Sequence, residues 1–178
     1  MGCGDFAVVP AQLIEEGSEA CFLTSHRRGA EVVAHTVANG IALISEITLQ
    51  PSQPSVETTH ASSANLPCHE IEPLLVESLN RKDNCVNVAL YDGRLYVVVM
   101  QRGSLLMANR YKVACGEDVL YHVLNAYQGF GLDVLHDPLY VYGIDTALIK
   151  KYIAHIETVR DGACSVSTEQ KHYKVKSV

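Results

Sequence analysis

A thiol, an imidazole and a carboxylate stand next to one another at Cys68, His69 and Glu70. Such groups can perform nucleophilic catalysis, because an imidazole can deprotonate a thiol and a carboxylate can orient the imidazole. Side chains of successive residues diverge, however, and a catalytic set needs hydrogen-bond geometry that the fold supplies from separate segments. The alternative is the start of a helix, where Glu70 and Glu72 complement the positive end of the helix dipole. We therefore predict a helix start and no catalytic residue.

The eight histidines and six cysteines are spread along the chain and form no metal-binding motif. Neither a C-x-x-C pair nor an H-E-x-x-H motif occurs. His122 falls in a predicted helix, but Ala126 occupies the position one turn later where a second ligand would stand. The cysteines lie far apart in a chain large enough to fold without disulfides. We expect no bound metal and free thiols.

Tyrosines recur in the second half of the chain and allow two interpretations. They could line a ligand groove between two lobes, because pockets favour domain interfaces. Tyrosines at helical and strand spacing are more typical of the rim of a core, with the hydroxyl group in water, and we favour that interpretation. The residues concerned are Tyr121, Tyr127, Tyr140, Tyr142 and Tyr152.

The composition is that of a globular protein with a substantial core. Of the 178 residues, 48% are hydrophobic and 19% are charged, which excludes a mostly disordered chain. The formal charge of −6 argues against a nucleic-acid partner, since phosphate contacts need clustered Lys and Arg. The longest apolar run, residues 95–100, is far shorter than the roughly 20 residues of a membrane-spanning helix. No targeting segment is visible, so we expect a cytoplasmic protein without a membrane partner.

The first half of the chain predicts short strands and one helix. Residues 6–10 are typical of a strand, and residues 30–38 and 41–49 flank Asn39-Gly40, a dipeptide that suits a two-residue hairpin turn. A helix over residues 30–38 is the alternative, because Val33 and Val37 are four residues apart. Three valines and a threonine favour the hairpin.

A polar segment and a helix separate this hairpin from the second half. Residues 50–67 are rich in Ser, Thr, Pro and Asn, and their prolines exclude a regular helix. Helical spacing returns at residues 70–79, where Pro73 is tolerated in the first turn. The polar stretch 80–84 then predicts a boundary between two units.

The second half predicts a three-stranded meander followed by helix, strand and helix. Asp92-Gly93 and Arg102-Gly103 are dipeptides that form tight hairpin turns, and the middle strand is apolar on both faces, as a central covered strand should be. Acidic residues after Gly116 favour a helix start, and Gly131 suits a helix end. The predicted strands are residues 85–91, 95–101, 104–111 and 139–142, and the helices are residues 116–130 and a second one that begins at Asp145.

This order resembles the ribonuclease H-like unit, which occurs duplicated in actin-like ATPases. Four segments are similar to a bacterial domain family of unknown function with an actin-like fold, and residues 6–10 are similar to the opening strand of that family. The resemblance implies a mixed α/β sheet with a βββαβα lobe, duplicated, with a reduced N-terminal lobe at residues 1–80 and a C-terminal lobe at residues 81–178. The four similar segments are residues 91–99, 105–110, 116–121 and 129–133.

The N-terminal lobe is predicted to be reduced because one of the family's helices has no counterpart there. A short strand could lie at residues 56–60 within the polar segment. Between the second hairpin strand and this strand, only residues 50–55 are available, and they include two prolines.

The actin-like fold also implies a Mg-ATP site at the turn between its first two strands. The corresponding positions are Asp92 and Gly93, with Gly116 at the start of the following helix. A two-residue turn offers few N–H groups for phosphate, and Arg94 and Leu95 replace the hydroxyl residues of the pattern. Two-metal hydrolysis needs several carboxylates, whereas Asp92 is the one carboxylate in residues 85–111.

The sequence lacks the phosphate-binding loop and the carboxylates that such enzymes need. It therefore predicts a non-catalytic interaction or scaffold domain with a protein partner and no cofactor. The alternative is a diverged actin-like nucleotide-binding protein that holds Mg-ATP at Asp92, Gly93 and Gly116. Fold alone does not choose between the two, because function belongs to the site.

Overall fold

The computed structural model describes residues 4–25, 30–47, 69–142 and 159–161. The chain divides into two compact units, Met1–Glu70 and Ile71–Val178. The predicted boundary at residue 80 falls after helix α1 (Glu72–Leu79), whereas the division falls before it. α1 packs on strands of the second unit and buries Leu74, Leu75 and Leu79. The helix that we assigned to the first lobe therefore belongs to the second unit.

The first unit contains an antiparallel sheet of three strands in the order β1-β3-β2. Its centre is β3, where residues 42–46 are buried. The predicted hairpin is confirmed, and Asn39 and Gly40 form its turn with φ of 51° and 71°. Two short 3-10 helices between β1 and β2 were not predicted. The elements are β1 (Phe6–Pro10), the 3-10 helices Ala11–Leu13 and Glu19–Phe22, β2 (Glu31–Ala38) and β3 (Ile41–Ile47).

The strand order of the first unit differs from that of a meander. After β1 the chain forms the edge strand β2 and only then returns to the centre of the sheet as β3. The described strands of the first unit thus do not repeat the three-stranded meander predicted for the second half. The duplication of one lobe into two stays a prediction. The polar segment 50–67, the helix predicted after Asp145 and the final stretch after residue 163 lie outside the described residues.

The second unit is a five-stranded mixed sheet in the order β6-β5-β4-β7-β8. The first three strands form the predicted antiparallel meander, and β7 pairs parallel with β4, as expected from the sequence. The edge strand β8, which pairs parallel with β7, was not predicted. The elements after α1 are β4 (Cys85–Tyr91), β5 (Arg94–Gln101), β6 (Ser104–Lys112), α2 (Gly116–Phe130), β7 (Leu139–Tyr142) and β8 (Val159–Asp161).

Two hydrophobic layers cover the sheet of the second unit. On one face, α2 packs through Val119, Val123 and Tyr127 against apolar residues of β4, β5 and β7. α1 also packs on β4 and β5. All six residues 95–100 in β5 have no exposed surface, which confirms the prediction that the middle strand is covered on both sides.

Helix α2 is closed at both ends by its own chain. At its start, the carboxylate of Asp118 accepts the backbone N–H groups of Ala114 and Cys115 at 2.8 and 3.3 Å. At its end, Gly131 adopts the left-handed conformation with φ of 64°, and the N–H of Leu132 donates to the carbonyl of Tyr127 at 2.9 Å. Such caps suppress fraying, so α2 is a firm support for the side chains that it presents.

Candidate functional site

The structure brings the three residues of the predicted phosphate site to one end of the second sheet. Asp92 and Gly93 connect β4 and β5 with φ of 48° and 68°, as a tight hairpin turn requires. The carbonyl of Gly93 accepts the N–H of Val113 at 2.9 Å, and Gly116 begins α2 three residues later. The turn and the start of α2 are thus adjacent, although they are separated in the sequence.

Two backbone donors at this end of the sheet are already engaged by the protein itself. The N–H groups of Ala114 and Cys115, which precede α2, donate to Asp118. These two hydrogen bonds lower the pKa of the Asp118 carboxyl group, so it is ionised at neutral pH. A carboxylate at this place repels a phosphate anion, and it occupies two N–H groups beside the start of α2. The residues present fit a nucleotide phosphate poorly.

A buried polar cluster, not predicted from the sequence, lies on the opposite face of the sheet from α2. The guanidinium group of Arg81 donates to the hydroxyl oxygen of Tyr142 at 2.8 Å from Nη2 and at 3.3 Å from Nε. It also lies over the ring of Tyr140, 3.4 Å from the ring centre. Tyr142 donates to Oδ1 of Asn87 at 3.4 Å, and Asn87 donates from Nδ2 to Sγ of Cys85 at 3.3 Å.

The ionisable groups of this cluster are held in single protonation states. Burial raises the pKa of Cys85 to about 11 and that of Tyr142 to about 12. Both are therefore protonated at neutral pH, where a thiol is a poor nucleophile and a phenol is no base. The cluster provides hydrogen bonds and a fixed cation, and it supplies no group that transfers a proton near pH 7.

The predicted thiol, imidazole and carboxylate set is only partly described. Cys68 lies outside the described residues. His69 is buried, with its ring centre 4.9 Å from that of Phe6 in the first unit. The helix begins at Glu72 and not at Glu70. The predicted helix start is confirmed: Glu72 lies in the first turn, and Glu70 lies two residues before the helix.

The tyrosines fall into two groups. Tyr127, Tyr140 and Tyr142 are buried, so they belong to the core, which agrees with the interpretation that we favoured. Their hydroxyl groups bond to Asp137, Asp83 and Arg81 within the protein, so the expected hydroxyl group in water is wrong for these three. Tyr121 is 65% exposed on α2, and Tyr152 lies outside the described residues.

An aromatic cluster stands where α2 passes the edge strand β6. The ring of His122 stacks on that of Tyr111 at 3.9 Å between ring centres, and Tyr121 meets His122 edge-on at 5.1 Å. Leu124, one turn further along α2, is 41% exposed. Large side chains thus reach solvent from a helix that is capped at both ends.

The described residues contain neither a cluster suited to a metal ion nor a helix suited to a membrane. No group of three or more His, Cys, Asp or Glu side chains in those residues could hold a metal ion. No helix in that part of the chain is both long and apolar enough to cross a membrane.

The fold of this chain has a counterpart among solved structures. A protein from Bacteroides thetaiotaomicron, described as having an actin-like ATPase fold and unknown function, matches 89% of this chain with a TM-score of 0.64 and 16% sequence identity. The likeness shows that this chain has an actin-like ATPase fold. The matched region spans 65% of that protein's length.

A family match places the chain more narrowly. The model of the family described as "Protein of unknown function (DUF3822)" matches residues 4–159, and the chain belongs to this family. The family and fold that we inferred from the sequence are confirmed. An AlfA filament bound to AMPPNP matches 55% of this chain and 37% of its own, with a TM-score of 0.38 and 19% identity. No curated protein matches the chain.

Proposed function

We propose that this chain is a non-catalytic protein-interaction domain on an actin-like ATPase fold, and that its contact surface is the outer face of α2. We define this outer face by four residues, Glu117, Tyr121, Leu124 and Gln128. The exposure of Tyr121 carries the proposal, since 65% of this residue is in solvent on a helix held at both ends.

The chemistry of the outer face suits a protein partner. Tyrosine gives a large contact area for little loss of side-chain entropy and is enriched where binding energy concentrates in interfaces. Leu124 adds apolar surface one turn away, and Glu117 and Gln128 are polar and stand at the two ends. An apolar centre with a polar rim is the usual anatomy of an interface.

A photo-crosslinking amino acid at position 121, introduced into the full chain in its native host, tests this proposal. The matched control carries the same amino acid at Arg102, an exposed residue in the turn between β5 and β6. We expect a covalent protein adduct from position 121 and none from position 102. Equal labelling at the two positions, or none at either, would contradict an interaction surface on α2.

The competing hypothesis is a diverged nucleotide-binding protein with Mg-ATP at Asp92, Gly93 and Gly116. The meeting of the Asp92-Gly93 turn with the start of α2 favours it. The engagement of the nearby N–H groups by Asp118 disfavours it.

A thermal shift with Mg-ATP separates the two hypotheses. A nucleotide at 100 times its dissociation constant would add about 2.7 kcal/mol to stability. Asp92→Asn keeps a residue that tolerates positive φ while it removes the carboxylate. A shift in the wild type that Asp92→Asn abolishes would overturn the non-catalytic proposal, and we expect no shift in either protein.

A further inference from the structure

The outer face of α2 has the spacing of a helix-packing seam. Glu117, Tyr121, Leu124 and Gln128 follow one another at intervals of four, three and four residues, and all four are exposed. Intervals of three and four place side chains in one row along a helix, as in paired helices. The opposite side of α2 packs on the sheet through Val119, Val123 and Tyr127. The row therefore points away from the protein's own core.

The intervals of four, three and four residues in this row read the same from either end of the helix. When two copies of α2 lie antiparallel, Tyr121 of each copy stands opposite Leu124 of the other. Glu117 of each copy then stands opposite Gln128 of the other. A two-fold interface requires this reciprocity, in which residue i meets residue j and residue j meets residue i.

The charges of α2 favour the antiparallel arrangement. The helix contains Glu117 and Asp118 and no Lys or Arg. A parallel pair would place Glu117 against its own counterpart, and like charges repel. In the antiparallel pair the amide of Gln128 can donate to the carboxylate of Glu117, and the two helix dipoles oppose each other favourably.

We propose that α2 is the seam of a two-fold symmetric dimer of this chain, in which Tyr121 packs on Leu124 of the second copy. This inference rests on the proposed function and names the partner at the same surface. α2 has 15 residues, so the seam is about 22 Å long. One helix pair of this length buries less than the roughly 800 Å² per partner of a standard stable interface, so the dimer is a reversible one.

Sedimentation velocity of the full chain over a concentration series tests the dimer. We expect the wild type to shift from monomer towards dimer as the concentration rises. Tyr121→Asp and Leu124→Lys should each remove the shift, because each places an unpaired charge in an apolar contact. The matched control is Val76→Asp, which changes a 38% exposed apolar residue on α1 and should leave the association unchanged.

Mixing the two single variants tests the register. In the antiparallel dimer, the new carboxylate at position 121 of one variant faces the new ammonium group at position 124 of the other, while the second Tyr121–Leu124 contact is intact. An equimolar mixture of Tyr121→Asp and Leu124→Lys should therefore recover association that neither variant shows alone. A parallel seam gives no such recovery, because identical positions then face each other. Circular dichroism of each variant verifies that the fold is kept.

The outcomes separate this inference from the proposed function. A wild type that stays monomeric throughout the series, or a mixture that fails to recover association, would overturn the dimer. If the crosslinker at position 121 then yields an adduct whose mass differs from that of two copies, the interaction surface stands with a different protein as its partner. If it yields no adduct, both are wrong.

Discussion

The contact between Arg81 and Tyr142 predicts that one hydroxyl oxygen contributes measurably to stability. Tyr142 is 1% exposed and accepts two N–H groups of the guanidinium group, the shorter at 2.8 Å. A hydrogen bond to a charged group contributes about 1.5–3 kcal/mol. The bond from Tyr142 to Asn87 is long, at 3.4 Å, and adds little. We expect Tyr142→Phe to lower the free energy of unfolding by about 2 kcal/mol on this scale.

Tyr140→Phe is the matched control, because it removes a hydroxyl group from the same strand. Tyr140 donates to Asp83 at 3.3 Å, and its ring remains beneath Arg81 after the change. We expect this variant to cost less, about 0.5 kcal/mol, because the carboxylate of Asp83 is exposed and water replaces the lost hydroxyl group as its partner. Urea unfolding followed by circular dichroism measures both values, with an unchanged dependence on urea as the sign that the unfolded state is the same. Equal losses in the two variants would show that the Arg81–Tyr142 bond has no special weight.

Three further predictions concern the core, the pH range and the unit boundary. Val98→Asp should unfold the second unit, since an unpaired charge in the middle of β5 costs several kcal/mol; an unchanged melting curve would contradict the assigned core. Because burial raises the folded pKa values of Cys85 and Tyr142 to about 11 and about 12, the unfolded chain loses these protons first. The contribution of these two groups to stability should therefore begin to fall near pH 9 and decrease further as the pH rises towards 12, which urea titrations across this range measure. A fragment of residues 71–178 should melt cooperatively, whereas residues 81–178 should not, because the shorter fragment lacks α1 and exposes the sheet surface that α1 covers; equal melting would place α1 outside the core.

The strands that flank the two-residue turns were predictable because their signals are local. Asn39, Asp92 and Arg102 each precede a glycine and each adopt positive φ in a two-residue turn. The turn fixes the pairing of the flanking strands. The same holds for α2, whose first turn is acidic and whose end is Gly131. The residues that determine these elements are close together in the sequence, so they can be recognised without knowledge of the fold.

The assignment of α1 to the second unit and the polar cluster depend on contacts between residues that are far apart in the sequence. Local sequence patterns do not reveal such contacts. α1 follows the first unit in sequence, yet Leu75 and Leu79 are buried with the second unit. Arg81 and Tyr142 are 61 residues apart, and β7 must pair with β4 before they can meet. The three residues of β8 carry no pattern of their own and form a strand because β7 offers them a partner.

The buried polar cluster around Arg81 and Tyr142 fixes the register between β4 and β7, and this structural role is better supported than a catalytic one. Asn87 stands opposite Tyr140 in the parallel pair of β4 and β7. A slip of one residue would turn Tyr142 to the face that α2 covers. Asn87, which has no exposed surface, would then lose its contact with the tyrosine hydroxyl, and Arg81 would lose its acceptor. A buried amide without its partners costs about 1–3 kcal/mol, a penalty that apolar residues at the same places would not impose. In this fold the buried polar atoms thus select one pairing of the strands, and the exposed side chains of α2 are left to meet a partner.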